Sequence, residues 1–332
     1  MTRIISVSTE AIEQAAAIVR NGGLVGMPTE TVYGLAANAR DGKAVARIFE
    51  AKGRPQFNPL IVHVNDIEAA QEIAYMSEQD LAVAQAFWPG PLTLILRVRG
   101  GSGLSDLVSA GLSTVAVRVP SHNTARAFIK ACGVPIAAPS ANRSGTLSTT
   151  TPAHVAQSLG DGVDLILADG VSKVGLESTV FDCTGDKPCV LRPGAVTAEE
   201  LSEVLGCEVG YDLGNKESGE VRSPGQILRH YAPATPVRLK AVDVEEGEAL
   251  LTFGSAQFMG MRGSGERAID ALPEGSVAHL SKDGDLYEAA ANLFAMLHKL
   301  DRPEHKAIAV MDIPDKGVGV AINDRLRRAA EK

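Results

Sequence analysis

The spacing of apolar residues changes period repeatedly along this chain, and that alternation limits the fold more than composition does. Ile12, Ala15, Ala16 and Val19 recur at three and four residues behind Thr9, a capping residue type, and the run ends at Asn21-Gly22-Gly23. LVGMP then reads as a strand. Past the turn-rich PTETVYGLAANA, Asp41 caps a second helix with Val45, Ile48 and Phe49 on one face. That helix stops at Lys52-Gly53-Arg54-Pro55, and the apolar strand PLIVHV begins at Pro59. Helix, strand, helix, strand is the rhythm of an α/β domain. Further strands are predicted at Leu92–Val98, Thr114–Pro120, Pro135–Pro139, Leu165–Gly170 and Ser178–Cys183.

From about Cys207 the pattern dissolves into the Gly, Asn, Ser and charged residues of a solvated connector. It resumes with EALLTFG, VAHLS, the helix DLYEAAANLFAMLHKL, the strand KAIAVMDI and a last helix over Val320–Ala330, a smaller α/β unit of Rossmann type. The expected division is a first domain over 1–206, a connector over 207–235 and a second domain over 236–332. Inside the connector, SPGQILRHYAP sets Arg229, His230 and Tyr231 between two prolines. Such residues suit a binding site better than a tether.

A chain of 332 residues is long enough for two domains that each bury a core. Its net charge of −8, with one Trp, five Tyr and eight Phe, provides neither the basic excess nor the stacking surface of a protein that holds a nucleic acid backbone. Any basic site is therefore local. The four cysteines form no CxxC pair and no zinc spacing, and read as reduced thiols. No apolar window approaches the length of a membrane span, and the N-terminus has no leader-like apolar run, so a soluble, cytoplasmic protein without a membrane partner is expected.

Several strands give way at once to small polar loops, MPTET, APSANRSG, LESTV and LRPG, and ligands of open α/β sheets collect at such strand ends. Ordinary turns are the alternative. Lys52 and Arg54 would point to one side if KGRPQF is extended, as Pro55 favours. Convergent cations in an acidic chain point to a phosphate, against the alternative of a solvated pair at a helix end. Arg118 and His63 lie inside strand-like runs; a buried Arg needs a ligand or an internal ion pair, and a lone His is ordinarily a satisfied core residue. No P-loop, no complete dinucleotide fingerprint and no nucleophile elbow occurs, so a nucleotide would need another cradle.

Taken together, PTETVYGLAANA, KGRPQFNPLIVHV, FWPGPLTLIL, VAVRVP, APSANRSG, ESTVFD, LRPGAV and SPGQILRHYAP resemble the threonylcarbamoyl-AMP synthases in their long form, a YrdC-like domain followed by a Rossmann-like one. The resemblance implies a twisted, open mixed sheet with helices. It also implies a nucleotidyltransferase that joins L-threonine, bicarbonate and ATP, releases pyrophosphate and serves tRNA modification. By motif it places Thr31, His63, Arg118, the backbone of Ala138 and Ser178 around threonine. Around ATP it places Lys52, Arg54, Asn58, the backbone at Thr114, Ser140, Asn142, Ser148, Arg192, Arg229 and Tyr231, with Lys52, Arg54 and Arg118 acting at the reacting centre. Mg²⁺ bridging the phosphates, a transferase complex and local docking of tRNA complete what it implies. The connector would cover ATP, although Gln226, Ile227 and Leu228 depart from the family's usual residues after SPG. Two other readings stay open here: an RNA-binding YrdC-like module, and a carbamoyl-transfer domain of the hydrogenase-maturation type.

Overall fold

The computed structural model describes residues 3–213, 230–256 and 259–331. Two compact units divide it: the chain up to Ser144, Thr149–Lys173 and the stretch onward from Glu177 form the first, while Gly145–Ser148, Val174–Leu176 and the chain beyond the connector form the second.

A 12-stranded mixed sheet organises the first unit. In sheet order its path runs Arg3–Ser6, Leu165–Ala168, Val25–Met27, Gly34–Asn38, Ile136–Ala137, Ile61–His63, Thr114–Arg118, Leu92–Val98, Thr179–Asp182, Cys189–Arg192 and Gly210–Tyr211, with Ala74–Tyr75 paired to Leu92–Val98. Strands form where the apolar runs predicted them, and also at Gly34–Asn38, inside the stretch read as turn-rich. There GLAAN pairs antiparallel with Val25–Met27, because its small side chains fit a crowded sheet interior without producing the apolar signal of a buried strand. The chain after Gly206 does not leave the domain at once, since Gly210–Tyr211 adds a short parallel strand beside Cys189–Val190.

Alternation of side chains along these strands divides the sheet into two unlike faces. Val62, Leu92, Leu94, Leu96, Val115, Val117 and Phe181 enter the main core with the helix residues Val45, Ile48 and Phe49. Residues of the opposite parity, Ile61, Ile95, Ala116 and Val180, form only a small apolar cluster, and His63, Thr93, Arg118 and Ser178 share that second face. Helix ends follow local chemistry. Ser8, not Thr9, caps the first helix, accepting from the Ala11 N–H at 3.1 Å, and Asp41 caps Gly42–Lys52 as expected.

In the second unit four parallel strands stand in the order Val237–Arg238, Ala307–Val310, Glu248–Phe253, Val277–Ser281. The helices Leu286–Leu300 and Val318–Ala330 pack together on one face, the second beginning two residues before its predicted start. Leu250, Ala309, Met259 and Ala268 build the core on the other face. Gly175 is required at its place: a Cβ there would lie 2.4 Å from the Ala291 carbonyl oxygen, and its φ of +72° suits only glycine well. Among the described residues no helix is long and apolar enough to cross a membrane.

Candidate active site

Two parallel strands lay out the site. Ile61 stands beside Ala116 and His63 beside Arg118, so the register carried back two residues sets Thr114 near Pro59. Four residues of strand separate Thr114 from Arg118 by roughly 13 Å. Ile136–Ala137 runs antiparallel alongside, with the Ala138 N–H donating to the Ile61 carbonyl at 2.9 Å, so Ser140 continues toward the Pro59 end. His63 and Arg118 therefore occupy one end of the strand pair, and Asn58, Thr114 and Ser140 the other.

At the first end Arg118, 3% exposed, donates to the Glu30 carboxylate at 2.6 Å, to the Thr31 hydroxyl at 2.8 Å and to the Gly90 carbonyl at 3.2 Å. Thr31 is held in turn by the Thr29 hydroxyl at 2.8 Å. Burial pushes the Glu30 carboxyl up, but the charge and hydrogen bond of Arg118 outweigh it and leave Glu30 below its usual range, hence ionised. His63 is buried, and among the described residues its Nδ1 has no hydrogen-bond partner. Burial first, and the Arg118 charge second, depress the imidazole to about 3, so the ring is neutral. The Ser178 hydroxyl shares a 2.7 Å hydrogen bond with Thr93. Arg192, expected on the nucleotide side, donates to the Ser178 carbonyl at 3.0 and 2.8 Å and to its hydroxyl at 3.1 Å. The structure thus joins one residue expected for each substrate.

At the other end the Lys52 ammonium donates to the Ser140 carbonyl at 2.6 Å and to the Asn142 carbonyl. Arg54 donates to the carbonyls of Asn58 at 3.3 Å and Pro59 at 3.0 Å. Their convergence does not come from an extended segment. Lys52 is the last residue of its helix, and Gly53, with φ of 59°, closes that helix while the Gly53 and Arg54 N–H groups bond back to Glu50 and Phe49. The left-handed glycine sets the two cations together. Burial first, then the neighbouring Arg54 charge, hold Lys52 well below the ordinary lysine range, with Glu177 opposing. Asn58 is 1% exposed, and among the described residues neither the oxygen nor the nitrogen of its side-chain amide has a hydrogen-bond partner. Leaving a buried amide unmet costs stability.

Of the remaining candidates, Ser148 belongs to the second unit, where its carbonyl accepts from His298 at 3.0 Å. Tyr231 is buried in that unit with φ of 63°, its ring 5.7 Å from that of Phe294 and 5.1 Å below the Arg325 guanidinium. Arg229 and most of SPGQILRHYAP lie outside the described residues. Three contributors escaped the sequence reading. Glu30 was flanked by two threonines in a loop, Thr93 was the polar alternate of an apolar strand, and Glu177 was an ordinary acidic residue before a strand.

Fold and cluster together define an α/β protein with a buried arginine and histidine at one end of a strand pair and buried cations beside an unsatisfied amide at the other. A family model covering Sua5, yciO and yrdC, described as telomere recombination, matches residues 17–194, and the model of the threonylcarbamoyl-AMP synthase C-terminal domain matches 196–331. The threonylcarbamoyl-AMP synthase of Bacillus subtilis is 40% identical over 99% of this chain and 96% of its own, and that of Pyrococcus abyssi is 40% identical over 99% and 98%. The crystal structure of P. abyssi Sua5 complexed with L-threonine superposes with a TM-score of 0.87 at 35% identity, covering 99% of this chain and 97% of that one. The chain belongs to the threonylcarbamoyl-AMP synthase family.

Proposed function

We propose that this chain condenses L-threonine, bicarbonate and ATP into threonylcarbamoyl-AMP and pyrophosphate, and that the two ends of the central strand pair divide the substrates. The observation that carries this reading is the pairing of Arg118 with His63 at one end and the Lys52–Arg54–Asn58 group at the other. A guanidinium suits the threonine carboxylate because it can donate two parallel hydrogen bonds. For that it must share or exchange its bond to Glu30. Neutral His63 can accept or donate one hydrogen bond without adding charge, and the Thr31 and Ser178 hydroxyls fit the polar part of the amino acid.

In this reaction the threonine amine condenses with bicarbonate, losing water, to give a carbamate. A carbamate oxygen attacks the α-phosphorus of ATP, and the bond to the bridging oxygen breaks to release pyrophosphate. Lys52 and Arg54 answer the phosphate charge from a water-poor setting, where each contact is worth more than in bulk water. Positioning and charge stabilisation suffice, which agrees with the lack of any nucleophile motif in the sequence. Magnesium fits as a companion of the nucleotide: a setting of two cations and an amide suits phosphate oxygens, so the triphosphate and water would hold the ion. When bound, it would neutralise phosphate charge.

Thr114, Ser140, Asn142 and Arg192, all in the first unit, complete the nucleotide side in this reading, and the product passes to a transferase that modifies tRNA. Pyrophosphate release that requires threonine, bicarbonate and ATP together tests the proposal. Release from ATP without threonine, or none with all three, would overturn it.

A further inference from the structure

The second unit contains a cavity of about 290 Å³ that the proposed reaction does not use. It opens at the C-terminal ends of two neighbouring parallel strands, Glu248–Phe253 and Val277–Ser281. The connection that follows the first of these strands, including Ala256, Met259 and Ala268, packs on one face of the sheet. The helix Leu286–Leu300 that follows the second packs on the other face. Adjacent strands whose connections part to opposite faces leave a crevice at their carboxyl ends, the usual ligand position of an open parallel sheet.

The lining of this crevice is chemically one-sided. Arg267, His279 and Lys282 reach it from three separate segments, Ser255 adds a hydroxyl, and Ala256 and Ile269 form an apolar wall. Among the described residues, no carboxylate lines it. His279 stands opposite Thr252 in the strand register, and its Nδ1 is 2.7 Å from the Thr252 hydroxyl, which leaves Nε2 to the cavity. Burial first, and then the positive charges of Lys282 and Lys299, keep the imidazole below its usual range. Among the described residues, neither lysine has a carboxylate within 4.0 Å. Arg267 has one, the Asp270 carboxylate at 2.5 Å, but both side chains of that pair are largely exposed, a setting in which ion pairs are weak and readily exchanged.

We propose that this crevice binds the phosphate group of a small ligand, with Lys282, Arg267 and the free nitrogen of His279 as its donors. The cavity has room for inorganic phosphate, for pyrophosphate or for a small phosphate monoester lying against Ile269. The site depends on the second unit alone and is independent of the reaction proposed above.

Titration calorimetry of the full chain with inorganic phosphate, pyrophosphate and AMP tests it, each against wild type, Lys282→Glu, His279→Gln and Arg54→Ala. Lys282 is exposed, so reversing its charge leaves the fold intact, and glutamine at 279 retains a partner for Thr252. Lys282→Glu should weaken phosphate binding about tenfold or more, as loss of a charged contact does. His279→Gln should weaken it less. Arg54→Ala should leave this binding in place, and Lys282→Glu should leave threonine-dependent pyrophosphate release unchanged. Tightest binding of AMP would identify a nucleotide monoester as the ligand class, and equal binding of all three probes a free phosphate. Phosphate affinity unaltered by Lys282→Glu, or phosphate binding abolished by Arg54→Ala, would overturn the proposal.

Discussion

In the first unit the Lys52 ammonium and the Arg54 guanidinium donate to the main-chain carbonyls of Ser140, Asn142, Asn58 and Pro59. In the second, the guanidiniums of Arg325 and Arg328 converge on the single carboxylate of Asp324, at 2.8 and 3.0 Å. Both groups are buried, yet their electrostatics differ. A carbonyl dipole satisfies the hydrogen atoms of a cation but leaves its net charge, so burial keeps disfavouring the charged form, as the lowered Lys52 shows. A carboxylate offsets one unit of that positive charge and also ties helix positions together, here Asp324 and Arg328 four residues apart on Val318–Ala330. In the first arrangement carbonyl oxygens hold the Lys52 ammonium, and the Glu177 carboxylate offsets only part of the effect of burial and of the Arg54 charge. The second locks a helix in place.

That contrast fixes which variants lose stability and which lose activity. The largest effect belongs to the lock. Asp324→Ala removes the carboxylate that Arg325 and Arg328 share and should destabilise the second unit by about 3 to 5 kcal/mol. Urea unfolding measures it, and a change below about 1 kcal/mol would remove the distinction between the two clusters.

Next come Lys52→Ala and Arg54→Ala. Each should lower kcat/KM for pyrophosphate release by one to two decades, about 1.5 to 3 kcal/mol, while the unfolding midpoint falls far less than for Asp324→Ala. Comparable losses of stability from both clusters would instead make Lys52 and Arg54 structural.

His63 offers a test within the first unit that needs no substrate. Its imidazole titrates near 3 when folded and near 6.5 when free, so between these values the unfolded chain binds a proton that the folded chain refuses. The contribution is complete above about pH 6.5 and declines as pH falls, by about 1.4 kcal/mol per pH unit at its steepest. Unfolding curves from pH 7 to pH 4 should therefore slope less in His63→Asn than in wild type. Parallel slopes would mean that His63 is hydrated.

The smallest effect is set by Thr93, whose hydroxyl shares a hydrogen bond with that of Ser178. Thr93→Val removes one hydrogen bond and should raise KM for threonine several-fold, about 0.5 to 1.5 kcal/mol, with kcat nearly constant. A loss confined to kcat would place Ser178 at the reacting atoms.

Much of the first unit could be read directly from its residues. Ile61–His63, Leu92–Val98 and Thr114–Arg118 are apolar runs of strand length, and Asp41 marks a helix start. Gly34–Asn38 escaped because glycine and alanine have little apolar surface to signal a strand, and Glu30 because nothing local distinguishes it from a loop acid. The convergence of Lys52 and Arg54 was anticipated, but through an extended backbone. A left-handed glycine produces it instead, a conformation that sequence permits at Gly53 without requiring.

The sequence by itself determined the α/β class, the presence of two domains' worth of chain, the family and the kinds of side chain available to a phosphate and a carboxylate. These follow from local spacing and residue chemistry, which act over a few neighbouring positions. Tertiary structure alone decided which groups meet. Arg118 reaches Glu30 across 88 positions and Thr31 across 87, Lys52 reaches Ser140 across 88, and Thr93 reaches Ser178 across 85. Strand order and register set those meetings, and they also assign His63 and Arg118 to one end of a strand pair and Asn58 and Thr114 to the other. Register comes from the cooperative burial of one whole sheet face, in which a slip by one residue would exchange Val62 and Val117 for His63 and Arg118, and no local segment holds that information.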